Sequence, residues 1–424
     1  MDRRQFIGRS AAVACSGVAL AGCTGEEGSE GVEGTEGESG GPADDGAEEE
    51  QGSEPEPEGG DGEPFYHYDL DVHEERANGQ PVWIDRDERL YGRDGLDVIV
   101  SDDWWETTEI LYSFGDEEGR VETVIVPDSG NVIVAVGGRD DVGGRVYRLA
   151  DDLDDHELLY QFDYGRVSNS MGHAVHEDVV VISCYGMSDF ENDRHPNEVI
   201  LSTDGGGSFE QVLEVPLETE DAANHHVHDV EYDPYAERIW VAHGDHGNSQ
   251  LFWSDDHGDS WEEIDEQGAI TMVTQVAAFE DCVVLGTDGT PEGIMRWERE
   301  SPEDTPDRAS DFERVHVQIQ LDPDDDTMEV YARRRWHVRE DDGRELCLMP
   351  FGYSPMHDTA EDSVLLASVD GDEWYELLRT ETRDILLTNV MGPLSMDGDL
   401  RTLVSDSNQG DGHQFDATIP RFWD

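Results

Sequence analysis

The chain has 424 residues, with 27 basic residues against 102 acidic ones and a formal charge of −75. Every basic residue is arginine, since the sequence contains no lysine. Nucleic-acid binding needs clustered cations along a groove, and the only cluster, Arg333-Arg334-Arg335, is too small to make one.

The first segment reads "MDRRQFIGRSAAVACSGVALAGC". Arg3-Arg4 before Gln5-Phe6-Ile7 resembles a twin-arginine export signal, and Leu20-Ala21-Gly22-Cys23 resembles a lipobox. The apolar run is too short and too rich in Gly, Ala and Ser to span a membrane. Residues 1–22 are therefore expected to be removed, leaving Cys23 as the lipidated first residue, with an ordinary secretory signal as the alternative. One chain holds weakly, so two lipid chains on Cys23 would give a stable anchor on the outer face of the cell membrane.

Residues 24–63 are Glu, Gly, Ser, Asp and Pro with almost nothing apolar and no basic residue. With Cys23 they make an acidic tether, 23–63, that cannot bury enough surface to fold. The remaining body, 64–424, is still strongly acidic. In dilute buffer that charge repels itself, whereas at molar salt a Debye length of about 3 Å screens it. Such a composition suits a salt-saturated environment.

Within the body, "RLYG", "NVIVAVGG", "DVVVISCYG", "RIWVAHGD", "CVVLGTDG", "ILLTNV" and "RTLVS" read as strands, and no window has a helical period. Between them a short pattern recurs. "LFWSDDHGDSWEEI" carries Ser254, Asp256, Gly258 and Trp261, and "LSTDGGGSFEQV" carries Ser202, Asp204, Gly206 and Phe209. "VIVSDDWWETTEIL" keeps Ser101 and Asp103 without the glycine, and "LASVDGDEWYELL" has Ser368, Asp370, Gly371 and Trp374. "YRLADDLDDHELL", around Asp152, is a worn copy, and "IMRWERE" falls where a further degenerate unit is needed. Ser and Asp side chains can bond backbone amides just ahead and close a turn, Gly permits φ > 0, and the aromatic ring heads the returning strand. Successive copies lie about 50 residues apart, the period of a propeller blade.

The pattern S/T-x-D-x-G-x-x-W/F resembles the Asp-box, or BNR repeat, of sialidases and sortilin-type receptors. That resemblance implies an all-β propeller of four-stranded blades, with each box turning between the two outer strands, away from the central pocket. Seven blades fit 64–424, with six as the alternative, and the last unit, 384–424, is expected to close against the first by sharing strands. The box implies architecture and does not imply sialic acid chemistry. Sialidases carry an Arg-Ile-Pro motif within an arginine triad, and no Arg-Ile-Pro is found here. Arg93, Arg139 and Arg333 to Arg335 follow inner strands without assigning a triad.

The inner strand of each unit lies upstream of its box, so channel residues are sought there. "HHVHDVEYDPYAERIWVAHGDHGN" places His226 and His228 on one strand face, then His243, Asp245 and His246 at the end of the next strand. The unit before supplies His173, His176 and Tyr185, and the unit after supplies Asp288. His226, His228, His243, Asp245, Tyr185 and Asp288 are candidate acid–base groups around a sugar. His173, His226, His228 and His246 are candidate ligands for one divalent metal. Hydrogen-bonded pore histidines are the plain alternative. The acidic loop 322–326 could hold Ca²⁺ but reads better as solvated. Cys184, Cys282 and Cys347 sit in apolar runs and read as buried thiols with no disulfide framework.

Two functions follow. One is a surface module, expected to be monomeric, whose His-rich central pocket binds a glycan or a protein partner, as sortilin-type receptors bind peptides. The other is a carbohydrate-active enzyme, a glycoside hydrolase or polysaccharide lyase unlike a typical sialidase. A lyase would need a metal or arginine facing a uronate and a base such as His, Tyr185 or Tyr353.

Overall fold

The computed structural model describes residues 79–116, 118–137, 142–167, 172–186, 189, 194–215, 226–244, 249–264, 272–287, 293–317, 330–332, 334–353, 363–380, 387–397, 400–406, 413–419 and 421–423. The leader, Cys23, the tether, Arg139, Asp245, His246, Asp288, Arg333 and the loop 322–326 lie outside them.

The chain folds as a seven-bladed β-propeller. Each blade is an antiparallel sheet made from a contiguous stretch of sequence, numbered here in chain order: 80–113, 121–161, 173–214, 227–263, 273–317, 330–380 and 387–418. The first strands are Gln80–Ile84, Val121–Ile125, His173–His176, Val227–Asp233, Val273–Ala278 and Leu387–Met391. In blade 6 this position is filled by two pieces, Val330–Ala332 and Trp336–Arg339, both paired to the long strand Glu345–Tyr353. The seventh blade has three strands among the described residues, and none of them comes from the N-terminal side. The expected strand sharing at the closure is therefore not found there. The sole helical element described is one 3-10 turn, Ala309–Asp311.

Among the described residues seven apolar clusters hold the ring, one for each contact between neighbouring blades. Val98, Val124 and Tyr147 join blades 1 and 2, and Ile125, Val146 and Ile182 join blades 2 and 3. Val199, Val230 and Phe252 fill the next layer, followed by Trp240, Trp253 and Trp297. Phe279 meets Phe351, and Leu365 meets Val404. Ile84, Leu90 and Trp105 of blade 1 pack on Met391 and Leu403 of blade 7, closing the circle. A blade buried on both faces needs apolar residues at successive positions. This explains why "IVAV", "VVVISC" and "CVVLGT", each the second strand of its blade, read as unbroken apolar runs.

The recurring Ser-Asp pattern forms four equivalent hairpins between third and fourth strands. Ser101 Oγ accepts from the Trp105 amide, Ser202 Oγ from Gly206, Ser254 Oγ from Gly258 and Ser368 Oγ from Gly371, all at 2.7–2.8 Å. Asp103, Asp204 and Asp256 each accept two bonds from the hydroxy residue four positions on, through its amide and its hydroxyl. Those bonds hold the three carboxyls below the usual aspartate range.

The glycines answer a close approach as well as a turn. Gly206 has φ +77°, and a Cβ there would come within 2.1 Å of Ile133 on the preceding blade. In blade 1 the same place is taken by Trp105 at φ 69°, buried in the seam between blades 7 and 1. "IMRWERE" is instead the third strand Gly293–Glu298 of blade 5, and its turn closes on Asp304 rather than on a Ser-Asp pair. Cys184, Cys282 and Cys347 are buried free thiols whose pKa burial pushes up.

Candidate functional site

First strands of separate blades converge on a cavity of about 380 Å³. Its walls include Trp83, His173, Asp229, Glu231, Arg334 and Arg335, and turn residues Arg86, Asp128, Glu177 and Asp341 line it as well. These turns follow first strands, so the cavity runs along the propeller centre toward the end bearing the first-to-second-strand turns.

Alternation on two strands builds the charged wall. In blade 4, Val230 and Tyr232 enter the apolar layer against blade 3, leaving Asp229, Glu231 and Asp233 on the opposite face. In blade 6, Val338 joins the apolar layer against blade 7, while Arg335 and Arg339 reach back to blade 4. Arg335 donates from Nη1 to Asp229 Oδ2 at 2.5 Å and from Nη2 to Glu231. Its backbone amide donates to Gln275 Oε1 of blade 5 at 2.7 Å. Arg339 Nη2 donates to Glu231 Oε1 at 2.7 Å and to His337 Nδ1 at 3.0 Å. Glu345 lies 3.6 Å from Arg339 and accepts from the Tyr235 hydroxyl at 2.6 Å.

The two carboxyls of this wall separate electrostatically. Asp229 is pushed up to about 6 because burial outweighs its share of Arg335. Although burial also opposes its charge, Glu231 is held below the usual range by both guanidinium groups. His337 is driven well below its ordinary value by burial and then by Arg339 and Arg335, so it stays neutral.

A second part of the wall is aromatic. Trp83 and Trp336, both half-buried, lie 6.4 Å apart, edge to face, and His173 lies 6.3 Å from Trp83. Trp336 Nε1 donates to the Pro393 carbonyl at 2.6 Å. Arg334 stands over the Trp83 ring at 5.8 Å and donates to the Val82 carbonyl at 2.7 Å.

The candidates from sequence fall into three groups. Tyr185, His226 and His228 come together, with ring centres 4.4 Å and 4.6 Å apart along the row. His228 Nδ1 donates to the Val273 carbonyl of blade 5 at 2.9 Å. His243 departs from them: it pairs with Val227, whose side chain takes the opposite face, and its ring lies by Phe252 in the layer between blades 3 and 4. His173 lines the cavity beside Trp83, and His176 stacks on Tyr232 at 5.8 Å. Among the described residues no group of three or more His, Cys, Asp or Glu is placed to hold a metal ion.

The sequence places Arg335 in an arginine group after an inner strand, but neither its acidic partners nor Arg339 were anticipated. "RRRWHVRED" does carry the signal, since Arg335, His337 and Arg339 alternate with Trp336 and Val338. So does "HDVEYD" in blade 4, although one alternating acidic strand is hard to single out among 102 acidic residues.

No protein-family model matches the chain, and no curated protein matches it in sequence. In three dimensions it is similar to a chain of the mitotic checkpoint complex, at 12% identity and TM-score 0.48 over 87% of this chain and 97% of that one. YCF48 from Cyanidioschyzon merolae is similar at 12% identity and TM-score 0.48 over 81% and 99%. Catalytically inactive virginiamycin B lyase from Staphylococcus aureus, with quinupristin, is similar at 8% identity and TM-score 0.47 over 82% and 97%. Likenesses this distant carry no functional argument. The chain's own strand pairing sets its class, a seven-bladed β-propeller with a charged and aromatic central cavity.

Proposed function

We propose that this protein is a binding propeller of the Asp-box type, displayed outside the cell, whose central cavity takes a glycan. The observation that carries the reading is the pair Trp83 and Trp336, half-buried rings set edge to face on the wall of a cavity that charged groups also line. Indole rings offer flat apolar surface to the C–H face of a sugar, while charged side chains and backbone groups around them accept and donate to its hydroxyls. The four Ser-Asp hairpins lie between outer strands, away from that cavity, which agrees with a scaffold role for the repeat.

Glycan arrays probed with the full ectodomain in molar salt test this reading. A Trp83→Ala variant is expected to lose at least about tenfold affinity for any hit, or about 1.4 kcal/mol, while staying folded. An unchanged array profile in that variant would sink the proposal.

A second reading, a glycoside hydrolase or polysaccharide lyase, is favoured by the row Tyr185–His226–His228. It predicts product from the same array hits, lost on His226→Ala.

Display rests on the twin-arginine and lipobox features, and salt tolerance on the −75 charge. Cys23→Ser is expected to move the protein from the membrane fraction to the medium. Retention on the membrane would exclude the lipid anchor.

A further inference from the structure

The acidic excess of the chain makes one cation anomalous. Described arginines that are buried have carboxylates on them: Arg238 with Asp255, Arg299 with Asp233, and Arg335 with Asp229 and Glu231. Arg334 is also buried, 7% exposed, yet among the described residues no carboxylate forms an ion pair or hydrogen bond with it. Its guanidinium has five N–H donors, and the one acceptor it meets among the described residues is the Val82 carbonyl. Burial first, and the like charge of Arg335 second, pull its pKa down to about 10, against a smaller opposing pull from the Asp229 carboxylate.

Nearby polar groups are unsatisfied too. Asn389, whose backbone bridges to that of Arg334, is 1% exposed, and neither its side-chain nitrogen nor its oxygen has a partner among the described residues. The Trp83 indole N–H is likewise buried without an acceptor, and the ring it belongs to sits beneath Arg334. A buried charge is normally paired, and a buried donor is normally bonded. On the cavity wall a guanidinium with no carboxylate in contact stands over an orphan indole N–H, an orphan amide lies on the strand bridged to it, and the carboxylate that favours its charge, Asp229, is itself bonded to Arg335.

We propose that Arg334, standing over Trp83 on the cavity wall, seats one singly charged anionic group. Two sources share that chemistry: a free halide from a salt-rich medium, or the carboxylate of a ligand occupying the cavity. The second source rests on the binding reading given above, and the first does not.

An anion that binds only the folded state raises the melting temperature by mass action, by roughly 3–5 °C at a hundredfold excess over Kd for a domain of this size. The test follows Tm of the full ectodomain, wild type and Arg334→Gln, as sodium sulfate is replaced at constant ionic strength by sodium chloride, acetate or glucuronate. Subtracting the variant removes non-specific salt effects. With no seated anion, the variant should be as stable as wild type or more so, because it removes an uncompensated buried charge. The wild-type advantage should then grow and saturate as a seated anion is added.

A rise with chloride alone assigns the seat to the halide. A rise with acetate and glucuronate, absent with glucose, assigns it to a ligand carboxylate. A difference that stays flat in all three salts overturns the seat. So does a variant that is less stable in every medium, because that marks Arg334 as a structural donor to Val82. Chloride-35 line broadening on the wild type, displaced or not by glucuronate, decides the point should the variant fail to fold. Glucose and glucuronate binding equally, with both lost on Trp83→Ala, would leave the binding channel standing and remove the anion seat from it.

Discussion

Arg299→Leu is expected to be among the most damaging single substitutions in this protein, at about 3–5 kcal/mol. Arg299 follows the third strand of blade 5, and Asp233 ends the first strand of blade 4. Both side chains are 0% exposed. Arg299 Nη1 donates to Asp233 Oδ2 at 2.5 Å, Nη2 to the Phe279 carbonyl at 2.5 Å and Nε to the Glu280 carbonyl at 3.0 Å. The aspartate in turn caps the next turn by accepting from the Tyr235 amide at 3.0 Å. One guanidinium thus ties together two blades and the backbone carbonyls of Phe279, Glu280 and Pro302, and its loss strands a buried carboxylate.

Chemical denaturation of wild type and variant, at low and at molar salt, measures the cost. A surface pair would fade as salt shortens the Debye length, whereas this one is shielded by the protein and should keep its cost in both media. A loss below about 1 kcal/mol, or one that vanishes in molar salt, would show that water reaches the pair. The double variant Arg299→Leu with Asp233→Leu should cost less than the two single changes added, since the stranded charge disappears.

The repeat was legible because it is local. Ser202, Asp204 and Gly206 satisfy one another within five residues, so their spacing alone reveals the hairpin, and its recurrence reveals the blade. The second strands were legible for a different reason: burial on both faces leaves apolar runs that stand out in a chain with 102 acidic residues.

The channel was legible in part. His226 and His228 do lie side by side, as strand alternation suggests, and Tyr185 of the preceding blade meets His226. His243 was misplaced because alternation within one strand does not say which face its antiparallel partner presents. The register Val227 to His243 decides that, and it is a pairing between strands. Arg339 escaped notice, and Arg335 stood in an arginine group with no assigned role, because their partners, Asp229 and Glu231, are about a hundred residues away and in another blade. Single-sequence reasoning sees periodicity within a strand. Which two blades face each other across a channel is fixed by ring closure, which no local pattern encodes.

That same wall gives the clearest pH dependence. Asp229→Asn is expected to gain stability relative to wild type as pH rises from about 4 to about 7. Asp229 accepts from Arg335 Nη1 at 2.5 Å and from the Val276 amide at 2.8 Å. Glu231 competes with it for Arg335 and also takes Arg339, while neutral His337 adds no charge and Arg334 stands next to Arg335. Burial therefore wins at Asp229 and lifts its pKa from 3.8 to about 6. Between those values the folded protein holds a proton that the unfolded chain has released. The group's contribution is fully present below about 3.8 and is lost as pH climbs through about 6. Asparagine has no proton to lose, so the variant escapes that decline, by up to roughly 3 kcal/mol at 1.36 kcal/mol per pKa unit. The depressed carboxyls of the hairpins, Asp103, Asp204 and Asp256, act in the opposite sense and destabilise both proteins in acid, so they cancel in the difference. Melting curves of the two proteins from pH 4 to pH 8, at fixed salt, read the effect directly. A difference that does not move with pH would mean that Arg335 holds Asp229 ionised throughout. The channel wall would then be a fixed pair of ion pairs rather than one that rearranges near pH 6.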